Sequence, residues 1–424
     1  MIKKFFDLPI WTRLTLFFVF LIFIGVSTYL TFYSLNGGQS ANPSSSAKED
    51  IVGSSTSSPN NPISDTKGNT KKDAGKEVTK NTTPIQTSPK VGQTAPKIPY
   101  YRASIPYWDQ GAAFASFEKN ANLFNFVTVF WYTLRRDGSI RKYTYAVEDA
   151  QIINFAHTNS VKVFGLIANL PDEDEGGSWD SERIDKVIST KSARSSHIAD
   201  IVSLTQRMGF DGISIDYEEL ETYQKDSFTL FIKELASALH EKGKLLGVAI
   251  HPKSGEGKPQ ENNGSAAQDL VPISQAGDQL YFMTYGEHWD DSVAGPIASV
   301  SWVKNVINYA ISIGVPREKI FMGVPLYGLD WPKNGSSYGT AKGLTYSEVA
   351  GLINQYKPTL IVDTAEGSAH FTYESSGQSH EVWFENYQTV LPKLEFAKSL
   401  GISATFWRLG GEDPLVWTTA AQFH

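Results

Sequence analysis

Eight short, nearly unbroken apolar segments recur through residues 99–424, and polar or amphipathic stretches separate them. They are RASIPYW (102–108), NFVTVFWYTL (125–134), KVFGLIANL (162–170), GISIDYEE (212–219), LLGVAIHPK (245–253), QLYFMTYGEHW (279–289), IFMGVPLYGLDW (320–331) and SATFWRLG (403–410). The fourth is followed by SFTLFIKELASALHEKG, a stretch of helical character, and most of the others by similar ones. Apolar strands that alternate with helices indicate a parallel sheet with helical crossovers. Eight of them in about 320 residues predict an α/β fold, the (β/α)8 TIM barrel. A doubly wound sheet is the alternative. It normally carries a Gly-rich phosphate turn after its first strand, and none is present here. The span from 332 to about 385 is too long for a simple loop, which predicts a small α+β insertion between strands seven and eight.

The chain ahead of residue 99 reads differently. Leu14 to Leu35 contains no charged residue, enough to cross a hydrocarbon core of about 30 Å at about 1.5 Å per residue. Lys3, Lys4 and Arg13 precede it, and positive flanks stay in the cytoplasm. Residues 1–36 are therefore expected to be a cytoplasmic N-terminus and a single transmembrane helix, with the remainder outside the cell membrane. A cleaved signal peptide is the rival reading; against it, the apolar run is long and no Ala-x-Ala site follows. Residues 37–98 are rich in Ser, Thr, Asn, Lys and Pro, and no aromatic residue falls between Tyr33 and Tyr100. Such a segment cannot offset its ordering entropy by burial and is expected to be a disordered linker, spanning roughly 45 Å as a coil.

From Pro99 onward there are 27 Lys and Arg against 39 Asp and Glu. An acidic domain is a poor partner for nucleic acid. The chain has no cysteine, which excludes disulfides, thiolate metal sites and a cysteine nucleophile. Gly-x-Ser-x-Gly, P-loop and His-Glu-x-x-His motifs are also missing from the sequence.

The segment with chemistry in it is Asp211-Gly-Ile-Ser-Ile-Asp-Tyr-Glu218. Alternate residues of a strand share a face. Ser214, Asp216 and Glu218 then line the barrel interior, while Ile213, Ile215 and Tyr217 pack against helices. Glu218 comes last, toward the C-terminal face where barrel active sites lie. Two carboxylates about 6–7 Å apart on one face repel each other, and with partial burial at least one keeps its proton toward neutral pH. A general acid requires such a group. A bare Asp-x-Glu is more often a surface pair; its place on the fourth strand of a barrel series favours the functional reading.

This segment resembles the Asp-x-x-Asp-x-Asp-x-Glu signature of glycoside hydrolase family 18, which includes chitinases and peptidoglycan-acting N-acetylglucosaminidases. FMTYGEHW (282–289) resembles the family's sixth strand and ATFWRLGGEDPLVW (404–417) its eighth. IFMGVPLYGLDW resembles the seventh strand of the spore-cortex-lytic branch. The resemblance implies hydrolysis of β-1,4 bonds in N-acetylglucosamine-containing glycans, peptidoglycan first among them, with retention and assistance from the substrate's own acetamido group. Glu218, Asp216 and Tyr285 would be catalytic. Trp407 would form the floor under the reacting sugar. Ser214, Asp211, Trp289, Glu287, Tyr327, Trp331 and Arg408 would bind substrate. No metal or cofactor is implied, and a monomer is expected. Three positions depart from the pattern. Ser214 stands where chitinases have the middle aspartate. Gly286 stands where many members have an aspartate. The third strand ends Ala-Asn-Leu-Pro in place of Ser-x-Gly-Gly. A chitinase acting on chitin oligomers and a non-catalytic glycan-binding barrel remain open on these residues.

Among the other aromatics, Trp108 and Trp131 also fall near strand ends and suit the faces of sugars as well as they suit a core. Asp330 and His288 are further cleft candidates. His288 beside Glu287 is too sparse a set for a metal. His251, at the end of the fifth strand, reads as a hydrogen-bonded structural residue.

Overall fold

The computed structural model describes residues 98–255 and 264–424. The apolar run 14–35 lies outside the described residues, and so does the linker up to residue 97. Among the described residues no helix is long and apolar enough to cross a membrane.

Eight strands form where the apolar segments fall: β1 (Tyr101–Pro106), β2 (Phe126–Leu134), β3 (Lys162–Ala168), β4 (Gly212–Asp216), β5 (Leu245–Ile250), β6 (Gln279–Phe282), β7 (Ile320–Pro325) and β8 (Ser403–Trp407). Neighbours pair in parallel, and β1 pairs with both β2 and β8, so the sheet closes into a barrel. A short strand, Ile140–Lys142, adds antiparallel to β2 on the outside.

The helices bury one stripe each. In Lys225–His240 the buried positions are Phe228, Phe231, Ile232, Leu235, Ala236 and Leu239, the three-and-four spacing of a single helix face. That face meets the outward side chains of β4, and the Tyr217 ring stacks on Phe231 with centroids 5.9 Å apart. Inside the barrel, Phe126, Phe164, Tyr281 and Phe321 form a separate aromatic layer near the N-terminal ends of their strands. They meet edge to face at 5.7–5.9 Å. This layer fills the lower interior, where the Tyr281 hydroxyl donates to Gln279 Oε1 at 2.6 Å.

Between β7 and β8 a second, antiparallel sheet forms. Its strands run in the order Ser337–Tyr338, Gly328–Asn334, Gln378–Phe384, Ser368–Ser375, Ile361–Asp363, with Lys342–Leu344 on the other edge of Gly328–Asn334. Helix Tyr346–Tyr356 packs on it around Val349. The segment 320–331, read from the sequence as one strand, is divided. Pro325 ends β7, and Gly328 opens a strand that pairs with Gln378–Phe384. Leu329, Trp331 and Ile297 pack against Tyr285 and Tyr327, which joins the second sheet to the barrel top.

Gly212 shows how little room the inner layer leaves. A Cβ there would lie 2.4 Å from Phe164 Cε1 and 2.6 Å from the Leu245 carbonyl oxygen. Gly212→Ala should therefore cost about 1–3 kcal/mol by overpacking, read as a lower urea midpoint. An unchanged midpoint would show that the layer is not close-packed.

Candidate active site

Ser214 and Asp216 point inward from β4, and both are buried. Glu218 lies two residues past the end of the strand, not on it. Strand pairing therefore does not hold it. Asn169, buried just past the end of β3, does this instead. Its Oδ1 accepts from the Glu218 amide at 2.8 Å, and its Nδ2 donates to the Glu218 carbonyl at 2.9 Å and to the Asp180 carbonyl at 3.1 Å. Glu219 then takes φ 55°, a left-handed conformation that turns the chain away. One side-chain amide thus fixes the backbone of a carboxylate at the barrel mouth.

The two carboxyl groups sit at different depths. Asp216 is 8% exposed, and the Glu218 side chain 17%. Burial pushes the Asp216 carboxyl up to about 7, and the Arg102 guanidinium opposes this rise. Glu218 is pushed well above the ordinary carboxylate range by burial first, then by the Asp216 and Glu219 charges. Arg102 acts on the first and not on the second, so Asp216 ionises before Glu218. The His251 ring is buried beside them, its Nε2 3.7 Å from Glu218 Oε2 and without a hydrogen-bond partner. Burial pushes this imidazole down to about 3, so it is neutral at physiological pH.

Two aromatic rings form the wall. Tyr285 and Trp407 lie nearly parallel, 15° apart, with centroids separated by 6.4 Å. Gly323 on β7 makes room for the tyrosine, since a Cβ there would come within 2.7 Å of its ring. The Tyr327 hydroxyl donates to the Tyr285 carbonyl at 2.8 Å. Trp407 also packs against Trp108 and Phe130 at 6.2 and 6.1 Å. Under Asp216 is a cavity of about 20 Å³, which Arg102, Ser214, Tyr285 and Trp407 also line.

Asp216, Glu218, Tyr285, Trp407 and Ser214 are therefore brought together. Several other sequence-derived candidates are placed elsewhere. Asp211 is at the start of β4, the opposite end from the site. It accepts from the Val163 amide and pairs with His157, so it ties strand to helix and does not face the cleft. Trp331 is fully buried under the second sheet and presents no face. Trp131 is likewise core, its indole N–H donating to Gln110. Both Glu287 carboxylate oxygens are taken by Ser299. Asp330 accepts from Tyr373 and His380 within the second sheet. His288 is bonded to the Pro296 carbonyl, and among the described residues no cluster of three or more His, Asp or Glu is arranged to hold a metal. Ser214 receives a bond from Arg102 at 3.1 Å. Tyr327 acts behind Tyr285. Trp108 and Trp289 are about half exposed. Arg408 pairs with Asp109 and lies over the Trp108 ring. Arg102, Asn169 and the closeness of His251 to Glu218 escaped the sequence reading.

Residues 175–412 match the family model for glycosyl hydrolases family 18. An uncharacterized glycosylase of Bacillus subtilis, YvbX, is 26% identical over 310 residues, 72% of this chain and 86% of that protein. The cortical fragment-lytic enzyme of Bacillus cereus is 27% identical over 297 residues, and the match spans 69% of this chain and 66% of the relative. A chitinase structure from Chromobacterium violaceum superposes with a TM-score of 0.67 at 28% identity, over 76% of this chain and 98% of that one.

The charge arrangement is testable without turnover. Removing the Asp216 charge removes one cause of the Glu218 shift, so in Asp216→Asn the Glu218 carboxyl should titrate at a lower pH than in the native protein. Carboxyl-carbon NMR of the free protein reads this directly. An unmoved Glu218 titration would show that the two groups are not coupled.

Proposed function

The chain belongs to glycosyl hydrolases family 18, and from that premise we propose that it cleaves β-1,4 bonds of peptidoglycan by a retaining, substrate-assisted mechanism. It is a glycoside hydrolase; the glycan and the assignment of roles are the proposal. One observation carries it: two carboxyl groups of unequal depth stand at the barrel mouth, both raised by burial but only the deeper one opposed by a guanidinium, beside a stacked Tyr–Trp wall. Glu218 donates its proton to the glycosidic oxygen as the bond to the anomeric carbon breaks. The 2-acetamido carbonyl oxygen attacks that carbon and forms an oxazolinium ion. Asp216 holds the acetamido N–H and stabilises the positive charge, as a fixed anion in a water-poor site can. The Tyr285 hydroxyl, whose pKa is raised well above its usual value by burial and by Asp216, stays a donor to the acetamido oxygen. Glu218 then takes a proton from water, which opens the ring with overall retention. Trp407 supports the apolar face of the sugar.

Peptidoglycan as the substrate rests on the cortical fragment-lytic relative and on Ser214 and Ala168-Asn169, which depart from the chitinase pattern. The Chromobacterium violaceum likeness favours chitin oligomers as the second reading. Incubation of the protein with purified peptidoglycan and with chitin oligomers, followed by identification of the new reducing ends, separates the two.

Glu218→Gln keeps the shape but has no acidic proton. Turnover should fall at least about a hundredfold while glycan binding survives. Wild-type cleavage by a folded Glu218→Gln protein would overturn the mechanism.

We also propose that residues 1–36 anchor the chain in the cell membrane and that 37–98 tether the barrel outside it. The basis is the uncharged run Leu14–Leu35 behind Lys3, Lys4 and Arg13. Protease added to intact, wall-stripped cells should release a stable fragment beginning near residue 99. Protection until the membrane is lysed would reverse the orientation.

A further inference from the structure

Arg102 is a cation in the barrel interior, 4% exposed, directly above the aromatic layer. Its Nη1 donates to Thr405 Oγ1 on β8 and its Nη2 to Ser214 Oγ on β4, both at 3.1 Å. Its guanidinium carbon lies 3.4 Å from the centroid of the Tyr281 ring. These contacts fix the group on three sides but leave its charge uncompensated, since a hydroxyl and a ring carry no negative charge. A buried cation with no countercharge is costly. The carboxylate whose field acts on Arg102 is Asp216, and Arg102 is the group that opposes the burial of Asp216. Arg102 Nε and Asp216 Oδ1 are both buried without a hydrogen-bond partner. Both residues line the same cavity of about 20 Å³, which has room for about one water molecule.

We propose that Arg102 is a positioning residue for Asp216: locked by Ser214 and Thr405, it supplies the fixed positive charge against which the Asp216 carboxylate is held. This rests on the reading of Asp216 given above. It explains why a serine suffices at 214, where the family resemblance leads one to expect an aspartate. A second carboxylate one step down the strand would compete with Asp216 for ionisation, whereas a guanidinium bonded to Ser214 favours the Asp216 anion. The other titratable groups facing Asp216 are Tyr285, Tyr143 and Glu218, and all three are raised by its charge. Arg102 is thus the one cation of the set. The alternative role, filling space in the barrel, demands shape and hydrogen bonding but not charge.

The test uses the full chain with Arg102→Met, Arg102→Gln and Arg102→Lys. The first readout is the carboxyl-carbon NMR titration of Asp216 in the free protein, identified by its loss in Asp216→Asn. The second is the pH profile of kcat/KM on a chromogenic N-acetylglucosamine oligomer. Asp216 must be ionised to act, so activity is lost as pH falls through its pKa, and removing the cation should move that acid limb upward. In Met and Gln variants both the titration and the limb should rise by about one unit or more, a tenfold change in the ionised fraction, with kcat falling and KM little changed. Lysine, which keeps a charge, should recover at least half of the shift. Should Met not fold, Gln retains donors for Ser214 and Thr405 and decides the matter. An Asp216 titration unmoved in either folded neutral variant overturns the proposal. A titration that moves in a protein whose Asp216→Asn variant keeps full activity overturns the catalytic reading of Asp216 and leaves the charge coupling standing.

Discussion

Closure of the sheet through β1 is the constraint on which everything else depends. Because β1 pairs with β2 on one side and β8 on the other, no strand edge is left open and eight sets of inward side chains converge on one axis. Arg102 meets Ser214, 112 positions away, and Thr405, 303 positions away, only because the ring is closed. The same convergence makes space scarce. Four rings fill the lower interior, and Gly212 is needed where Phe164 crosses the axis. Any polar group directed inward must therefore find its partners among a handful of neighbours.

From floor to mouth the interior passes from aromatic to cationic to anionic. Tyr281, in the first layer, carries the Arg102 guanidinium of the second over its ring, and Asp216 lines the same cavity as Arg102. Depth decides what each acid does. Asp216 is deep enough for burial to matter but close enough to a guanidinium to ionise. Glu218 is one step further out, beyond the reach of that cation, with two anionic neighbours. A single alternating segment thus places two carboxyl groups in surroundings that separate their ionisation.

Much of this was legible in the residues. The alternation of apolar and polar positions from Gly212 to Glu218 gave the inward face, and the eight apolar runs gave the barrel. The same alternation already excludes Asp211, since it shares parity with Ile213 and Ile215, not with Asp216. What stayed hidden depends on distant pairing. Arg102 is visibly inward by parity, but nothing local says that its partner lies on β4. Asn169 sits at the end of the third apolar segment with no local sign of its role, because its partner is a backbone 49 positions away. Trp331 was read as the end of a barrel strand near the mouth. Its strand belongs to a second sheet, and a sheet laid over a barrel buries the residues between them. The seventh segment does carry a break signal, Pro325 followed by Gly328, at the point where β7 ends and the second sheet begins.

The Tyr285 wall is assembled from parts of the chain made at very different times. Its backbone is held by Tyr327, its ring rests on Gly323 and faces Trp407, and Ile297, Leu329 and Trp331 pack around it. The Asn169 grip on the Glu218 backbone, by contrast, needs only the ends of β3 and β4 and the Asp180 carbonyl. During synthesis that grip can therefore form before the Tyr285–Trp407 pair does. A chain ending before residue 407 would keep the Asn169 grip on the Glu218 backbone but lack one of the two rings of the wall.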